Sequence, residues 1–375
     1  MVEQADVAIV GAGVVGLAIA SQVARTGRRV YILEKNHSFG LETSSHNSQV
    51  IHSGIYYPPG WLKATTCVQG NALLYELCAR HGIAHRRVGK LIVATETAEV
   101  AELETLLERG RANGVQGLRL LSQRELKQRE PNVAAVAGLL SPNTGIIDSH
   151  ALMRYYLSVA QAQGAQVAYR TQVAGIEPAA GGYRVSVEDG SGGFTFVARV
   201  LINSAGLFAD RVAAMAGLDL DAVGYRLRYC KGDYFSVGGA KGRLINGLVY
   251  PAPPARIEGV GIHATVDLDG GMRLGPGIQW VDSIDYSVDP ARKPDFYRAA
   301  RRFLPFLEPD ALEPDMAGIR PKLQQPGGDS RDFVIRHEAD RGLPGLIDLI
   351  GIESPGLTAS PAVARLVARM VDEAL

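Results

Sequence analysis

The sequence predicts an α/β protein, in which a Rossmann-like βαβ domain built from discontinuous segments is joined to an α+β domain with a mixed β-sheet. Three observations predict this fold class. A strand–glycine–helix–strand pattern opens the chain, a strand-rich block occupies about 225–274, and a buried strand followed by a helix closes it. The two ends therefore carry α/β patterns, and the middle carries a different kind of sheet.

The first 35 residues have the pattern of a dinucleotide-binding βαβ unit. A short apolar strand (6–10) leads into glycines with G-x-G-x-x-G spacing, an apolar helix and a second strand that ends at Glu34. Gly11 permits a tight turn, Gly13 lets the backbone approach a pyrophosphate, and Gly16 lets the helix pack closely on the strand. The N–H groups and positive dipole end of the helix suit phosphates, and Glu34 suits a ribose hydroxyl.

Composition excludes several classes of function. Thirty-nine basic residues balance thirty-nine acidic ones, so no global charge points to nucleic acid as a partner. Cys67, Cys78 and Cys230 are too few and too scattered for a disulfide framework or a metal site, and we expect them to be buried. No basic segment precedes the N-terminal apolar run, and no uncharged run of about 18 apolar residues follows, so we expect no signal peptide and no integral membrane segment.

Periodicity and capping signals predict the remaining helices and several strands. Ser122 and Glu125 form a capping-box pattern, and Ser149 is expected to cap the helix that follows it. Helices are predicted at Leu62–Arg80, Ala98–Ala112, Ser122–Glu130, Ala151–Gln163, Asp295–Phe303 and Pro361–Glu373, and strands at Lys90–Thr95 and Leu346–Ile350.

The C-terminal turn Gly351–Thr358 predicts the cofactor. It joins the last strand to the last helix and delivers a second set of helix N-terminal N–H groups, far in sequence from the first. A nicotinamide coenzyme needs one such clamp, whereas FAD is long enough to use both. We therefore predict an FAD-binding domain of residues 1–82, 145–222 and 325–375, and a substrate-binding domain of residues 83–144 and 223–324.

Several longer strings match a known family. They are Ser45–Pro58 (SHNSQVIHSGIYYP), Lys63–Tyr75 (KATTCVQGNALLY), Gly89–Ala94 (GKLIVA), Gly145–Asp148 (GIID), Ser204–Asp210 (SAGLFAD), Gly232–Phe235 (GDYF), Tyr250-Pro251, Gly261–His263 and Gly318–Pro321 (GIRP). On the basis of these strings, the chain resembles the FAD-dependent oxidoreductases of the D-amino-acid oxidase superfamily, and within it the L-2-hydroxyglutarate dehydrogenases and oxidases. The resemblance extends along nearly the whole chain. The tail GIESPGLTAS is more similar to that of glycerol-3-phosphate-type relatives.

The two glycine-bearing turns and this resemblance together imply the FAD contacts. His46 matches the position where some dimethylglycine and sarcosine dehydrogenase relatives attach flavin covalently, so a covalent link stays open here. The expected contacts are Gly11, Gly13, Val14, Val15, Gly16, Glu34, Lys35, Thr43, Ser44, Ser45, His46, Asn47, Val50, His52, Val173, Ala205, Gly206, Arg320, Gly351, Glu353, Ser354, Pro355, Gly356, Leu357 and Thr358.

Oxidation of a 2-hydroxy acid needs a base for the hydroxyl proton, and a histidine titrating near neutral pH suits that role. His52 and His263 lie in family-matching strings, and the choice of base between them stays open. Tyr56, Tyr57 and Tyr250 are candidate hydrogen-bond donors in the same site.

A dianionic substrate also needs cationic anchors, because buried carboxylates without partners are costly. Arg320 and Lys322 are two apart on a predicted strand and should point to one face. Lys231 is a further candidate cation at the rim of the pocket. Asp148 is expected to fix a turn.

The predicted function is FAD-dependent oxidation of a small 2-hydroxy acid, with L-2-hydroxyglutarate converted to 2-oxoglutarate. A flavin dehydrogenase or oxidase of glycerol 3-phosphate or of an amino acid is the nearer alternative, and a non-catalytic FAD-binding sensor the farther one. The electron acceptor (oxygen, a quinone or another carrier) is left open. The expected location is the cytoplasm, peripheral to the membrane if a quinone is the acceptor.

Overall fold

The computed structural model describes residues 3–190, 192–253 and 261–375. The chain forms two compact units. Unit 1 comprises Met1–Ser45, Ser149–Tyr229 and Arg320–Leu375, and unit 2 comprises His46–Asp148 and Cys230–Ile319. Both are α/β in content, as the sequence predicts.

Unit 1 is built on a sheet in the order β10-β11-β12-β1-β2-β9, with β20 beside β12 and β19 beside β20; its centre is parallel, and β10, β11 and β19 pair antiparallel. Its strands are β1 (Glu3–Val10), β2 (Val30–Glu34), β9 (Gln166–Tyr169), β10 (Gln172–Ala179), β11 (Gly182–Asp189), β12 (Gly192–Asn203), β19 (Val334–His337) and β20 (Leu346–Ile350). Its helices are α1 (Val14–Val23), α5 (Ser149–Ala162), α6 (Ala209–Met215), α7 (Leu220–Val223) and α9 (Gly356–Ala374).

The centre of this sheet explains the apolar N-terminal sequence. β1 lies between β12 and β2 and pairs with both in parallel, so the run from Val7 to Val10 is buried. Helix α1 packs against both α5 and α9, which is why it carries almost no polar face. The strand, glycine turn and helix are therefore held from several sides.

A buried hydrogen-bonded pair of polar side chains connects β12 and β20, which are neighbours in the sheet of unit 1. Asn203, the last residue of β12, donates through Nδ2 to the Asp348 carboxylate of β20 at 2.7 Å and to the Ala209 carbonyl at 2.7 Å. Both side chains are fully buried. Burial raises the pKa of Asp348 to about 7, although the Asn203 hydrogen bond acts in the opposite direction.

Unit 2 is built on a mixed sheet in the order β17-β13-β16-β15-β14-β5-β7-β6, with β18 beside β13, and on a small sheet β3-β8-β4. Its strands are β3 (Val50–Ile51), β4 (His85–Arg86), β5 (Lys90–Ala94), β6 (Arg119–Ser122), β7 (Ala137–Ser141), β8 (Gly145–Ile147), β13 (Arg228–Val237), β14 (Leu248–Pro251), β15 (His263–Val266), β16 (Met272–Gly275), β17 (Gln279–Val281) and β18 (Leu312–Lys322). The unit boundaries fall inside two of these strands, since Arg228 and Tyr229 of β13 and the last three residues of β18 belong to unit 1. Its helices are α2 (Leu62–His81), α3 (Val100–Ala112), α4 (Gln123–Arg129) and α8 (Lys293–Arg301).

The segment 46–82 lies in unit 2, whereas the sequence assigned it to the FAD domain. Its strand β3 pairs with β8, and Asn71 on α2 donates to the Asn143 carbonyl at 2.8 Å. Ile55 lies directly against Gly110 of α3, where an added Cβ would stand 3.0 Å from its side chain. These partners follow the segment in sequence, and local periodicity carries no information about them.

Most predicted elements are confirmed, with two differences at helix starts. The capping box at Ser122 and Glu125 is present. Ser149 is the first residue of α5 rather than its cap, and its hydroxyl is buried without a hydrogen-bond partner among the described residues. Helix α9 begins at Gly356, five residues before the predicted start at Pro361, because the turn itself enters the helix.

Two composition-based expectations concern buried thiols and membrane spans. All three cysteines are buried thiols outside any disulfide, as predicted. In the three ranges that the structure describes, no helix combines the length and the apolar character needed to cross a membrane.

We expect Asp348→Asn to stabilise the protein above neutral pH. The carboxyl has a folded-state pKa raised to about 7, so the folded state binds its proton more tightly than the unfolded state and stability falls as pH rises from about 4 to 7. The variant should therefore unfold at a higher denaturant concentration than wild type at pH 8, with a smaller difference at pH 5. Asp329→Asn, at an exposed position of unit 1, is the control. Equal midpoints at pH 8 would contradict a buried, destabilising carboxylate.

Candidate active site

The turn after β1 in unit 1 needs two of its glycines for packing within the protein. Gly11 has a φ of +102°, and a Cβ there would stand 2.6 Å from the Ser204 carbonyl oxygen. A Cβ on Gly16 would stand 2.1 Å from the Gly11 carbonyl oxygen. The Ser204 N–H donates to the Val10 carbonyl at 3.0 Å, so the ends of β1 and β12 form one narrow edge. Both glycines therefore have the packing roles that the motif predicts.

Gly13 differs from Gly11 and Gly16, because no backbone atom of the protein lies where its side chain would begin. Its φ is −75°, which any residue adopts, and an added Cβ would meet only the Ser44 hydroxyl, at 3.0 Å. A glycine that is required neither by backbone conformation nor by backbone packing fits the close approach of a ligand. The residues present therefore fit the pyrophosphate of a dinucleotide such as FAD.

Glu34 and Ser44 organise the start of α1. One Glu34 carboxylate oxygen accepts from the Ala12 N–H at 2.9 Å, and the other accepts from the Asn36 N–H at 2.9 Å. Ser44 accepts from the Val14 N–H at 2.9 Å. Each carboxylate oxygen keeps a second lone pair, so Glu34 can still accept from a ribose hydroxyl. The N–H of Val14, a predicted FAD contact, is engaged by Ser44.

The C-terminal turn places a second helix start in unit 1, as predicted. Gly351 has a φ of +70°, and α9 follows from Gly356 with the Ala359 N–H donating to the Pro355 carbonyl at 2.9 Å. Thr358 is fully buried in the first turn of the helix. The predicted contacts Ser354 and Leu357 belong to the same turn, the former exposed and the latter half-buried.

The predicted anchors Arg320 and Lys322 lie near the end of β18, both half-buried, with the buried Pro321 between them. They share a face of the strand, as their spacing predicts. Lys322 donates to the Glu353 carboxylate at 2.9 Å, and that side chain is 8% exposed. The charge of Lys322 is therefore balanced within the chain, and its role as a carboxylate anchor stays a prediction.

The other predicted FAD contacts of unit 1 lie in turns, on strand β10 and in helix α1. Lys35 forms an ion pair with Glu42 and lies 4.6 Å from the centroid of the Phe208 ring. Ser45 donates to the Gly40 carbonyl. The remaining positions are Val15 in α1, Thr43 in the turn before Ser44, Val173 at a β-bulge of β10, and Ala205 and Gly206 after β12.

Three predicted FAD contacts lie in unit 2 beside His52. The His46 ring stacks on Tyr286, with centroids 4.1 Å apart and planes 23° apart. Asn47 accepts from the Gln49 N–H at 2.8 Å, and Val50 is buried in β3. Covalent attachment of flavin at His46 stays a prediction.

Unit 2 brings His52 and His263 into one group with a lysine that the sequence analysis did not select. We define the Lys90 cluster as His52, Tyr56, Lys90, Tyr250 and His263. Strands β5, β14 and β15 are neighbours, and they carry Lys90, Tyr250 and His263 respectively. The Tyr250 and His263 rings stack with centroids 3.6 Å apart and planes 9° apart, and the Lys90 Nζ lies 4.0 Å from the Tyr250 centroid.

Hydrogen bonds on both sides fix the backbone at His52. Asn71 of α2 donates to the His52 carbonyl at 2.9 Å, and Ser141 of β7 donates to the Ser53 hydroxyl at 2.8 Å. Gly54 has a φ of +96°, and an added Cβ would stand 2.8 Å from Val68 on α2. His52 is therefore held at a fixed position against α2 and β7.

Burial and the local charges set the protonation states in the cluster. Loss of hydration, and then the Lys90 and His263 charges, hold the pKa of His52 well below its usual range. Burial lowers the pKa of Lys90 to about 7. Burial also raises the pKa values of Tyr56 and Tyr250, so both phenols are neutral at physiological pH. A neutral imidazole at His52 can accept a proton.

The sequence contained a signal for Lys90 that periodicity analysis did not use. All five residues of the KLIVA strand are buried, and lysine almost never occurs in such a strand without a role. Lys90 itself is 1% exposed. A lysine that opens a continuous apolar strand can therefore be selected from sequence as a candidate site residue.

Three further predicted residues also lie in unit 2. Lys231 is buried and forms an ion pair with Asp285 at 2.9 Å. The Tyr57 carbonyl accepts from Asn113 at 2.8 Å, and its half-buried ring lies next to Tyr56 in sequence. The Asp148 N–H donates to the Ala84 carbonyl at 2.8 Å, which fits the predicted structural role at a turn.

Comparison with known proteins bears on both units. The family model described as FAD dependent oxidoreductase matches residues 6–370. The chain belongs to this family. It is therefore an oxidoreductase with FAD as its cofactor and a small molecule as its substrate, which confirms the predicted class and cofactor.

Similar proteins come from plants, animals and bacteria. The chain is 39% identical to the mitochondrial L-2-hydroxyglutarate dehydrogenase of Arabidopsis thaliana, over 98% of this chain and 83% of that protein. It is 32% identical to that of Homo sapiens, over 98% and 89%. Among solved structures, dithionite-reduced L-alpha-glycerophosphate oxidase from Mycoplasma pneumoniae, with FAD bound, is 30% identical with a TM-score of 0.86, over 99% of this chain and 95% of that one.

We expect Gly13→Ala in this FAD dependent oxidoreductase to weaken cofactor binding without destabilising the apoprotein. The added methyl group meets only the Ser44 hydroxyl, so the apoprotein should melt within about 1 °C of wild type. The dissociation constant for FAD should rise at least about tenfold, because the methyl group occupies the path of the pyrophosphate. Gly16→Ala is the matched comparison and should lower the apoprotein melting temperature. An unchanged FAD affinity in Gly13→Ala would contradict the proposed cradle.

Proposed function

We propose that this enzyme oxidises the CH–OH group of a small 2-hydroxy acid, and that its substrate is L-2-hydroxyglutarate, converted to 2-oxoglutarate. The observation that carries the proposal is the identity to L-2-hydroxyglutarate dehydrogenases over 98% of the chain. The Lys90 cluster supports it, because that group supplies the neutral imidazole which removal of a hydroxyl proton requires.

In this proposal the residues of the chain bind the substrate and move one proton. A ring nitrogen of His52 takes the hydroxyl proton of the substrate, while the Cα–H bond breaks and the carbonyl group forms. FAD, when bound, supplies the acceptor for the Cα hydrogen as hydride. The lowered pKa of His52 keeps its ring neutral and able to accept that proton, and His263 is the other candidate base. Arg320 is the proposed anchor for a substrate carboxylate.

A second candidate substrate is glycerol 3-phosphate, and one specific observation supports it. The glycerophosphate oxidase is 30% identical and covers almost the whole chain with a TM-score of 0.86. Oxidation of its substrate would also remove a hydroxyl proton and a carbon-bound hydride, so the same base would serve.

The electron acceptor stays open between oxygen, a quinone and another carrier, since the hydroxyglutarate relatives are named dehydrogenases and the glycerophosphate relative is named an oxidase. The cytoplasm stays our predicted location, with peripheral membrane contact if a quinone is the acceptor. Oxygen-uptake and quinone-reduction rates with the same substrate distinguish the acceptors, and cell fractionation tests the location.

Anaerobic addition of L-2-hydroxyglutarate should bleach the flavin absorbance of the purified holoprotein near 450 nm, because oxidation of the substrate reduces the cofactor. One equivalent of 2-oxoglutarate should form per flavin. D-2-hydroxyglutarate and malate are the controls for configuration and chain length. Bleaching by glycerol 3-phosphate alone would establish the second candidate, and bleaching by an amino acid alone would overturn both. A holoprotein that no such compound reduces would support the sensor.

His52→Ala should slow anaerobic flavin reduction by about 10²–10⁴-fold while FAD stays bound, because the proton acceptor is lost. In wild type the lowered pKa keeps the imidazole neutral, so on the acid side the rate should fall only where this ring protonates, below the usual titration range of histidine. His263→Ala, measured beside it, tests the other candidate. A normal reduction rate in His52→Ala with a slow His263→Ala would move the base to His263.

A further inference from the structure

Lys90 is the buried cation of the cluster, and the proposed reaction gives it no part. The side chain is 1% exposed. Its Nζ lies 4.0 Å from the Tyr250 ring centroid and 5.1 Å from that of Tyr56. A substrate carboxylate cannot reach an ammonium group enclosed in this way. Any effect of Lys90 on the reaction must therefore pass through its neighbours.

The Tyr250 ring lies between Lys90 and His263. The His263 ring centroid is 3.6 Å from the Tyr250 centroid, and the Lys90 Nζ is 4.0 Å from it. Groups this close to one face would overlap, so Lys90 and His263 occupy opposite faces of the ring. The sheet order agrees, because β14 with Tyr250 runs between β5 with Lys90 and β15 with His263.

We propose that Lys90 is a positioning residue, whose ammonium group holds the Tyr250 ring against His263 and thereby fixes the orientation of that imidazole beside His52. This inference rests on the proposed function for its kinetic readout. A cation is attracted to the face of an aromatic ring, and the attraction is larger where the cation has lost its hydration. Tyr250 is a suitable intermediary because its own phenol stays neutral.

Below neutral pH, where Lys90 carries its proton, the same charge acts on the protonation of His52. The groups near Lys90 are Cys67 on α2, Tyr56, Tyr250 and His52, and the two phenols are neutral at physiological pH. Burial keeps the pKa of the Cys67 thiol far above neutrality, so that group is uncharged as well. The Lys90 charge therefore lowers the pKa of His52 with no compensating anion in this group.

Lys90→Met, which keeps the length of the side chain and removes the charge, tests the proposal. The rate of anaerobic flavin reduction at saturating L-2-hydroxyglutarate should fall about ten- to hundredfold, with KM within twofold of wild type. The acid limb of the pH profile should move up by about one pH unit, because His52 loses a neighbouring cation. Lys90→Arg should restore most of the rate and the limb. Lys127→Met, at an exposed position on α4, should behave as wild type.

Two further measurements separate positioning from a structural role. Tyr250→Leu removes the intermediary ring, and Lys90→Met/Tyr250→Leu should be no slower than the slower single variant if both act through one contact. Histidine C2–H resonances should show the His52 titration midpoint rising in Lys90→Met, without any turnover. If Lys90→Met does not fold, Tyr250→Leu and Lys90→Arg carry the test: the first should be slow, and the second close to wild type.

Three results would overturn the proposal. They are a wild-type rate and pH limb in Lys90→Met, a rise in KM alone, and additive losses in the double variant. If wild type itself is not reduced by L-2-hydroxyglutarate, the proposed function fails instead. The inference on Lys90 is then judged by the His52 resonance: an unchanged midpoint in Lys90→Met rejects it.

Discussion

Burial of the Lys90 ammonium group is the constraint on which the site of unit 2 depends. Removing a charge from water is costly unless other groups replace its hydration, and no ion pair of Lys90 is found in residues 3–190, 192–253 and 261–375. The faces of the Tyr250 and Tyr56 rings replace part of the lost hydration of the ammonium group. The positive charge is therefore only partly compensated, and its field acts on the nearby imidazoles. Burial lowers the pKa of His52, and that field lowers it further, so the imidazole stays neutral, as a base requires.

Unit 1 depends on a different constraint, which is the narrow edge where β1 and β12 end. Gly11 and Gly16 are glycines because backbone atoms of the protein stand within 3 Å of where their side chains would begin. Gly13 has no such neighbour. One motif therefore combines two physical causes, packing within the protein and access for a ligand. The Asn203–Asp348 pair holds the end of β12 that forms this edge, although Asp348 is a buried carboxylate with a raised pKa.

The sequence predicted what short-range patterns determine. The βαβ unit, the C-terminal turn and the capping box at Ser122 are each formed by consecutive residues with a local pattern, and the structure has all three. It did not predict that Lys322 pairs with Glu353, 31 residues away, or that 46–82 packs with unit 2. Lys90 was missed for a related reason. The environment of Lys90 is formed by Tyr250 on β14 and His263 on β15, and hydrophobic periodicity does not reveal the order of strands in a sheet.

The fold alone does not select the substrate, because one scaffold carries many chemistries. The glycerophosphate oxidase shares the fold over nearly the whole chain, and oxidation of either substrate removes a hydroxyl proton and a hydride. The base therefore does not distinguish the two, and the groups that bind the anion must. Lys322 contributes little to that choice, because an anion at its Nζ would also meet the Glu353 carboxylate. Identity of up to 39% to the L-2-hydroxyglutarate dehydrogenases, over 98% of this chain, is therefore what favours the hydroxy-diacid.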